Sequence, residues 1–269
     1  MKIIDAHIHF CDIPHFNKLA EQAGHQNCAG HLKREFARLG IEGAVVMGNR
    51  ELELCHHSYP SFMRYCVGLD RQCFEQKDIR DCVDLVEQHL RRKECVGIKL
   101  YPGYNAFYVY DEVCRPFLEL AATYRKPVAI HTGETAGRHN LLKYCHPLTL
   151  DQVAGEHPNV EFVMCHWGNP WVVDAAAVLC KHPNISTDLS GLLEGFTDMD
   201  RYFQEQSGYI AHLSTWLYYM QCWDRVMYGT DFPLANMEQY IEFTAHLIPP
   251  QYHEAVFAEN ARRIYHLDF

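Results

Sequence analysis

The sequence predicts a single α/β domain built as a parallel (β/α)8 barrel of the TIM type, distorted in places, and three observations predict it. Eight short apolar runs rich in β-branched residues recur along the 269 residues. Amphipathic helical stretches separate them, as a parallel barrel requires. No glycine-rich phosphate turn follows the first run, where a doubly wound open sheet would carry one; HIHFCDIPHF stands there instead. With no internal repeat, low-complexity segment or Gly/Ser linker, one domain over 1–269 follows, and barrels of this size commonly form one.

In chain order the strand candidates are KIIDAHIHF, IEGAVVMGN, RYCVGLD, CVGIKLYP, PVAIHTGE, VEFVMCHWGN, NISTDLSG and RVMYGTDFP. Near-continuous apolar runs of this kind suit strands buried on both faces. Between them HLKREFARLG, DIRDCVDLVEQHLRRK, CRPFLELAATYRK and WVVDAAAVLCKHP read as helices. The stretch PQYHEAVFAENARRIYHL reads as a further helix with a proline near its start. The segments Cys11–Gly30 and Tyr101–Glu112 read as long loops, which at the C-terminal ends of barrel strands shape a substrate pocket.

Composition narrows the function. The formal net charge is −10, from 24 Lys and Arg against 34 Asp and Glu, with no long basic run. That excludes a nucleic-acid backbone or an anionic membrane surface as partner. No run approaches the roughly 18 apolar residues of a membrane span. The opening stretch places Asp5 and two histidines where a signal peptide needs an apolar core, so a cytoplasmic location is expected. The twelve cysteines are irregularly spaced and form no CxxC pair, and Cys66, Cys95 and Cys165 lie inside apolar runs. They read as small buried hydrophobes in a reducing compartment.

Of the 18 histidines, only placement can single out the functional ones. A barrel carries its active site at the C-terminal ends of its strands. There the first run ends in His7 and His9, the fourth in Lys99, the fifth in His131, the sixth in His166 and the eighth in Asp231. Two histidines one residue apart on a strand face the same way, and a metal needs imidazoles aimed at one point. That spacing is a weak signal alone, and the matching ends of four other strands strengthen it. Asp5 shares the parity of both histidines and is expected as a supporting hydrogen-bond partner or a member of a buried ion pair. An unpaired carboxylate at Asp231 is costly to desolvate, a cost that a metal or a shared proton offsets. Lys99, inside an apolar strand, has four readings: an ion pair with Asp231, a substrate carboxylate, a carbamate bridging two metals, or a stem that reaches solvent.

These six residues, carried in DAHIH, GIKLYPGY, IHTGET, CHWGNPW, TDLSG and YGTDFP with a closing ENARRIYHL, resemble the amidohydrolase superfamily over nearly the whole chain. The branch resembled contains small metal-dependent hydrolases and non-oxidative decarboxylases. The resemblance implies one or two divalent ions, Zn2+ or Mn2+, at the barrel mouth. It matches His7, His9, His131 and Asp231 to the ligands of one-metal members, with His166 as a metal-adjacent catalytic residue. With Lys99 and His166 as added ligands it matches two-metal members, where the lysine is carboxylated. The mechanism implied makes Asp231 both ligand and general base toward water, while His166 stabilises the carbonyl oxygen.

Loop positions add candidate substrate contacts. They are Lys99, Tyr101 and Tyr104 from the fourth strand onward, Arg50 after the second, Arg138 after the fifth, Trp167, Asn169 and Trp171 after the sixth, and Asp188 on the seventh. Arg50 or Arg138 suits a carboxylate held bidentately, while His56 and His57 read as loop. The expected function is hydrolysis of a small ester, lactone or amide. The alternatives are decarboxylation of an aromatic or unsaturated acid, and a non-catalytic metal-binding scaffold. The expected partners are a small-molecule substrate and, in a homodimer, a second copy of the chain.

Overall fold

The computed structural model describes residues 1–69 and 78–269 and joins eight strands into one parallel sheet in sequential order. They are β1 (Ile3–Ile8), β2 (Ile41–Met47), β3 (Met63–Leu69), β4 (Cys95–Leu100), β5 (Val128–Ile130), β6 (Phe162–Met164), β7 (Ile185–Asp188) and β8 (Val226–Met227). Asp70, the end of the third run, and Cys73 lie outside the described residues. The sheet closes where Ile8 bridges Phe232 in parallel and Asp231 N donates to His7 O at 2.9 Å. The expected distortion sits in the second half, whose strands are shorter because the chain leaves extended geometry early. After β6 it turns at once through Cys165–Gly168, with His166 and Trp167 in the left-handed region at φ 60° and 43°.

Two apolar layers hold the barrel. An outer layer, including Ile8, Val46, Val67, Ile98, Ile130 and Phe162, packs under the helices. An inner layer of Ile4, Val45, Cys66, Val96, Ala129 and Val163 meets Ala261, Ile264 and Tyr265 from the end of the chain. That closing segment runs as a wide turn over Ala255–Glu259 into a short helix, Asn260–Ile264. The ring of Phe269 lies against Gly43 near the start of β2 and under the Arg64 guanidinium near the start of β3. The N-terminal end of the barrel is therefore plugged, and the polar strand ends collect at the other end.

Helices cover the outside, among them α1 (Pro14–Gln22), α2 (Ala29–Leu39), α3 (Ile79–Leu90), α4 (Arg115–Tyr124), α5 (Thr149–Glu156) and α6 (Val172–Lys181). The stretch expected as loop from Cys11 to Gly30 is thus largely helical. Helix α1 turns Phe16, Leu19 and Ala20 to one face, with Ala20 buried and the other two half-buried, and Pro14 stands at its first turn. The segment after β4 stays irregular, with a small bridge between Pro102 and Asn105. No helix among the described residues is long and apolar enough to cross a membrane.

Strand parity holds for His7 and His9 but fails for Asp5. Asp5 lies opposite Ala44 and Ile8 opposite Val46, so β1 carries one extra residue between them. The side chain of Asp5 consequently turns to β8. It accepts from Thr230 N at 3.0 Å, Thr230 Oγ1 at 2.7 Å and the backbone N of His7 at 3.2 Å. It ties β1 to β8 and pairs with no cation among the described residues.

Candidate active site

His7 is fully buried, and its Nδ1 lies 2.9 Å from Asp188 Oδ2. A carboxylate can only accept, so the ring proton sits on Nδ1 and the Nε2 lone pair points inward. His9 is arranged likewise: Nδ1 donates to Met47 O at 3.1 Å and to Asn49 Oδ1, which frees its Nε2. Both Nε2 atoms face one oxygen, Asp231 Oδ1, at 3.4 Å from His7 and 3.2 Å from His9. His7 Nε2 and Asp231 Oδ1 are buried and have no hydrogen-bond partner.

A second pair repeats the pattern. Ser190 Oγ donates to Asp188 and so accepts from His166 Nδ1 at 2.8 Å. His131 Nε2 donates to Glu134 O at 3.0 Å, and its Nδ1 faces His166 Nε2 at 3.2 Å. Every imidazole is thus engaged on its outer nitrogen and leaves a lone pair toward the same small volume. Acceptors at such distances repel unless a cation or a shared proton lies between them. In one group, His7, His166 and Asp231, the donor atoms all lie within 4.8 Å of one another. His9 joins it through Asp231 and His131 through His166, so the donor chemistry fits a divalent ion.

The backbone is bent to achieve this. Asp231 at φ 58° and His166 at φ 60° are left-handed, a conformation that costs an L-residue roughly 1–2 kcal/mol. Hydrogen bonds hold both in place: Asp231 N to His7 O, and His166 N to Asp188 Oδ1 at 3.0 Å. Gly191 leaves room for the ring, since a Cβ there would lie 2.9 Å from His166 Nδ1. Burial pushes His7 down to about 4 and lowers His131 and His166 as well, which keeps the imidazoles neutral. Burial alone would raise Asp231; positive charge placed among His166, His9 and His7, such as a shared proton or an ion brings, lowers it below its ordinary range.

Lys99 lies in the floor, fully buried, with Nζ 2.8 Å from Cys165 Sγ and 5.2 Å from the Tyr101 ring centroid. It neither reaches solvent nor pairs with Asp231. A cleft of about 230 Å³ opens above the cluster, lined by Tyr104, His131, Glu134, His166, Asn169 and Asp231 among others. A larger cleft of about 370 Å³ beside it shares the Tyr104 wall but holds none of the clustered donors.

Tyr104 and Asn169 therefore lie where substrate contacts were expected, and the other candidates do not. The Tyr101 hydroxyl donates to Gly48 O at 2.9 Å, and Trp167 is fully buried. Arg50 donates to Phe10 O at 3.1 Å and His56 O at 2.8 Å and stacks on Tyr59, pinning the loop after β1. Arg138 is exposed outside the cleft lining, and Trp171 packs on His146. Asp188 stands behind His7 rather than toward substrate, and His57 is buried against Tyr65 and His89. Sequence reasoning passed over Asn49, Ser190, Gly191, Glu134 and Glu194. Of these Glu134 carried a signal, three residues past His131 at the end of the fifth strand.

The fold is a parallel barrel, and the donor cluster stands at its C-terminal mouth. Residues 4–267 match the amidohydrolase family, and the chain belongs to it. A curated relative, the protein fluG of Emericella nidulans, is 29% identical over 136 residues, which is 49% of this chain and 15% of that protein. Three solved structures show the same fold. An uncharacterised TIM-barrel protein from Bordetella bronchiseptica has a TM-score of 0.72 at 20% identity, over 98% of each chain. The 2,6-dihydroxybenzoate decarboxylase from Rhizobium has 0.69 at 15% identity, over 100% of each. A probable 2-pyrone-4,6-dicarboxylic acid hydrolase from Acinetobacter baumannii, with citric acid bound, has 0.65 at 14%, over 99% of this chain and 100% of that one.

Proposed function

We propose that the chain is a metal-dependent hydrolase of a small ester, lactone or amide. The observation that carries this reading is the inward set of lone pairs, with His7 Nε2 and Asp231 Oδ1 buried and partnerless. Imidazole nitrogens and a carboxylate oxygen suit Zn2+ or Mn2+, held by His7, His9 and Asp231 with His131 and His166 alongside. Such an ion supplies positive charge that acidifies water and polarises a carbonyl. Asp231 divides its oxygens: Oδ1 faces His7 and His9, and Oδ2, 3.9 Å from His166 Nδ1, takes the proton from attacking water. It passes that proton to the leaving oxygen or nitrogen as the bond from it to the carbonyl carbon breaks. His166, its Nδ1 proton held by Ser190, presents the Nε2 lone pair beside the carbonyl, where it accepts from the attacking water and orients it. Asp188 keeps His7 in its tautomer. The unpaired thiols among the described cysteines suit a reducing, cytoplasmic setting.

Among solved structures of this fold stand both a decarboxylase and a probable hydrolase. The lining of the cleft favours hydrolysis here. It carries Glu134 and Glu194 and, among the described residues, no Arg or Lys to hold a substrate carboxylate. The test is a zinc-loaded sample assayed in parallel for hydrolysis of short esters, lactones and amides and for carbon dioxide release from aromatic acids. Hydrolysis without carbon dioxide supports the reading; carbon dioxide release without hydrolysis overturns it.

A further inference from the structure

The rim of the cleft has a charge pattern that hydrolysis by itself does not require. Glu134 follows β5 and Glu194 lies in the loop after β7, yet both line the same cleft of about 230 Å³. Both are exposed, and neither forms an ion pair with a described residue. Between them and the floor stands Asp231, only 7% exposed, which also lines the cleft and keeps one oxygen without a partner. Tyr104 completes the wall, 37% exposed, with its hydroxyl accepting from Ala136 N at 3.0 Å and its ring packed edge-on against His131, 4.9 Å between centroids. Arg50, after β2, is spent on Phe10 and His56 carbonyls, and Arg138, exposed after β5, is not among the residues lining the cleft. Two free carboxylates beside an aromatic wall, with no cation to answer them among the described lining residues, form a cation-binding rim.

Resting on the hydrolase reading, we propose that the enzyme selects substrates that carry an ammonium or guanidinium group. Glu134 and Glu194 hold that group at the rim while the scissile carbonyl lies over Asp231 and His166. An anionic substrate meets like charge at the same rim and is rejected.

Binding tests this apart from turnover. Butylguanidinium and butanesulfonate, neither of them a strong metal ligand, are titrated calorimetrically into the zinc-loaded protein. The cation is expected to bind at least about tenfold tighter, with an affinity that falls as salt rises. The double variant Glu134→Gln, Glu194→Gln is expected to lose most of that preference. Both side chains are exposed, so the variant should fold, and each single variant gives the same readout at smaller amplitude. Sulfonate binding as tightly as guanidinium, or a preference unchanged in the variants, overturns the proposal. A parallel series of 4-nitrophenyl esters with cationic, neutral and anionic acyl groups separates the two claims. Hydrolysis with no charge preference leaves the hydrolase standing and sinks the rim. A guanidinium preference with no ester or amide cleaved keeps the selective rim and sinks the hydrolase.

Discussion

Asp231 turns one oxygen to the rings of His7 and His9, at 3.4 and 3.2 Å, and the other toward His166 at 3.9 Å, so a single side chain joins both halves of the cluster. Replacing it with Asn keeps the shape but removes the charge and the base. Activity of Asp231→Asn is expected to fall about 10²–10⁴-fold, the range of a lost general base. Metal content per chain should fall with it, while the circular dichroism spectrum stays that of the parent. Full turnover in this variant would remove Asp231 from the mechanism. Lys99 poses a different question at the same scale, because its contacts are a thiol and an aromatic face. No carboxylate answers its charge among the described residues, and the structure gives it no part in the cleft lining.

At the scale of the element, β1 does two jobs with adjacent residues. Its extra residue between Asp5 and Ile8 lets His7 and His9 face the mouth while Asp5 fastens β1 to Thr230 beyond β8. Burial raises the Asp5 carboxyl to about 7 from its ordinary 3.8, against the hydrogen bonds from Thr230 and His7 that lower it. The folded state therefore holds a proton that the unfolded chain has released. The stability this proton contributes is complete below pH 3.8 and is lost as pH rises to about 7. Asp5→Asn imitates the protonated acid, so its stability relative to the parent should improve steadily from pH 4 to pH 7. Urea midpoints of both proteins across that range provide the check. A relative stability that is flat or declining with pH would show that Asp5 works as a carboxylate.

For the whole molecule, one end of the barrel is filled with apolar side chains from the closing segment and the other is filled with acceptors. An end that holds partnerless acceptors is the weaker one unless an ion occupies it. Chelation followed by gel filtration is expected to lower the melting temperature by several degrees. Added zinc should restore it in a concentration-dependent way, since any ligand of the native state stabilises it by mass action. A melting temperature indifferent to chelator and zinc would count against the metal site.

The order of strands and the floor of the site were legible because both follow from local geometry. Apolar runs of strand length mark buried parallel strands, and alternation along β1 aims His7 and His9 together. The polar residue at each run's end then falls at the mouth, as His131, His166 and Asp231 do. Even Asp188 was located by this reasoning, although its partner, the His7 ring, was not. What tertiary structure alone decided depends on a neighbour distant in sequence. The turn of Asp5 away from the histidines requires the register of β1 on β2. Arg50, Tyr101 and Trp167 were drawn away from substrate by backbone carbonyls and packing that only folding supplies. The convergence of Glu134 and Glu194 comes from loops after two different strands. Alternation and burial are properties of a short stretch of chain and can be read from it. A hydrogen-bond partner or a shared electrostatic field is settled by competition among groups that meet only when the barrel closes.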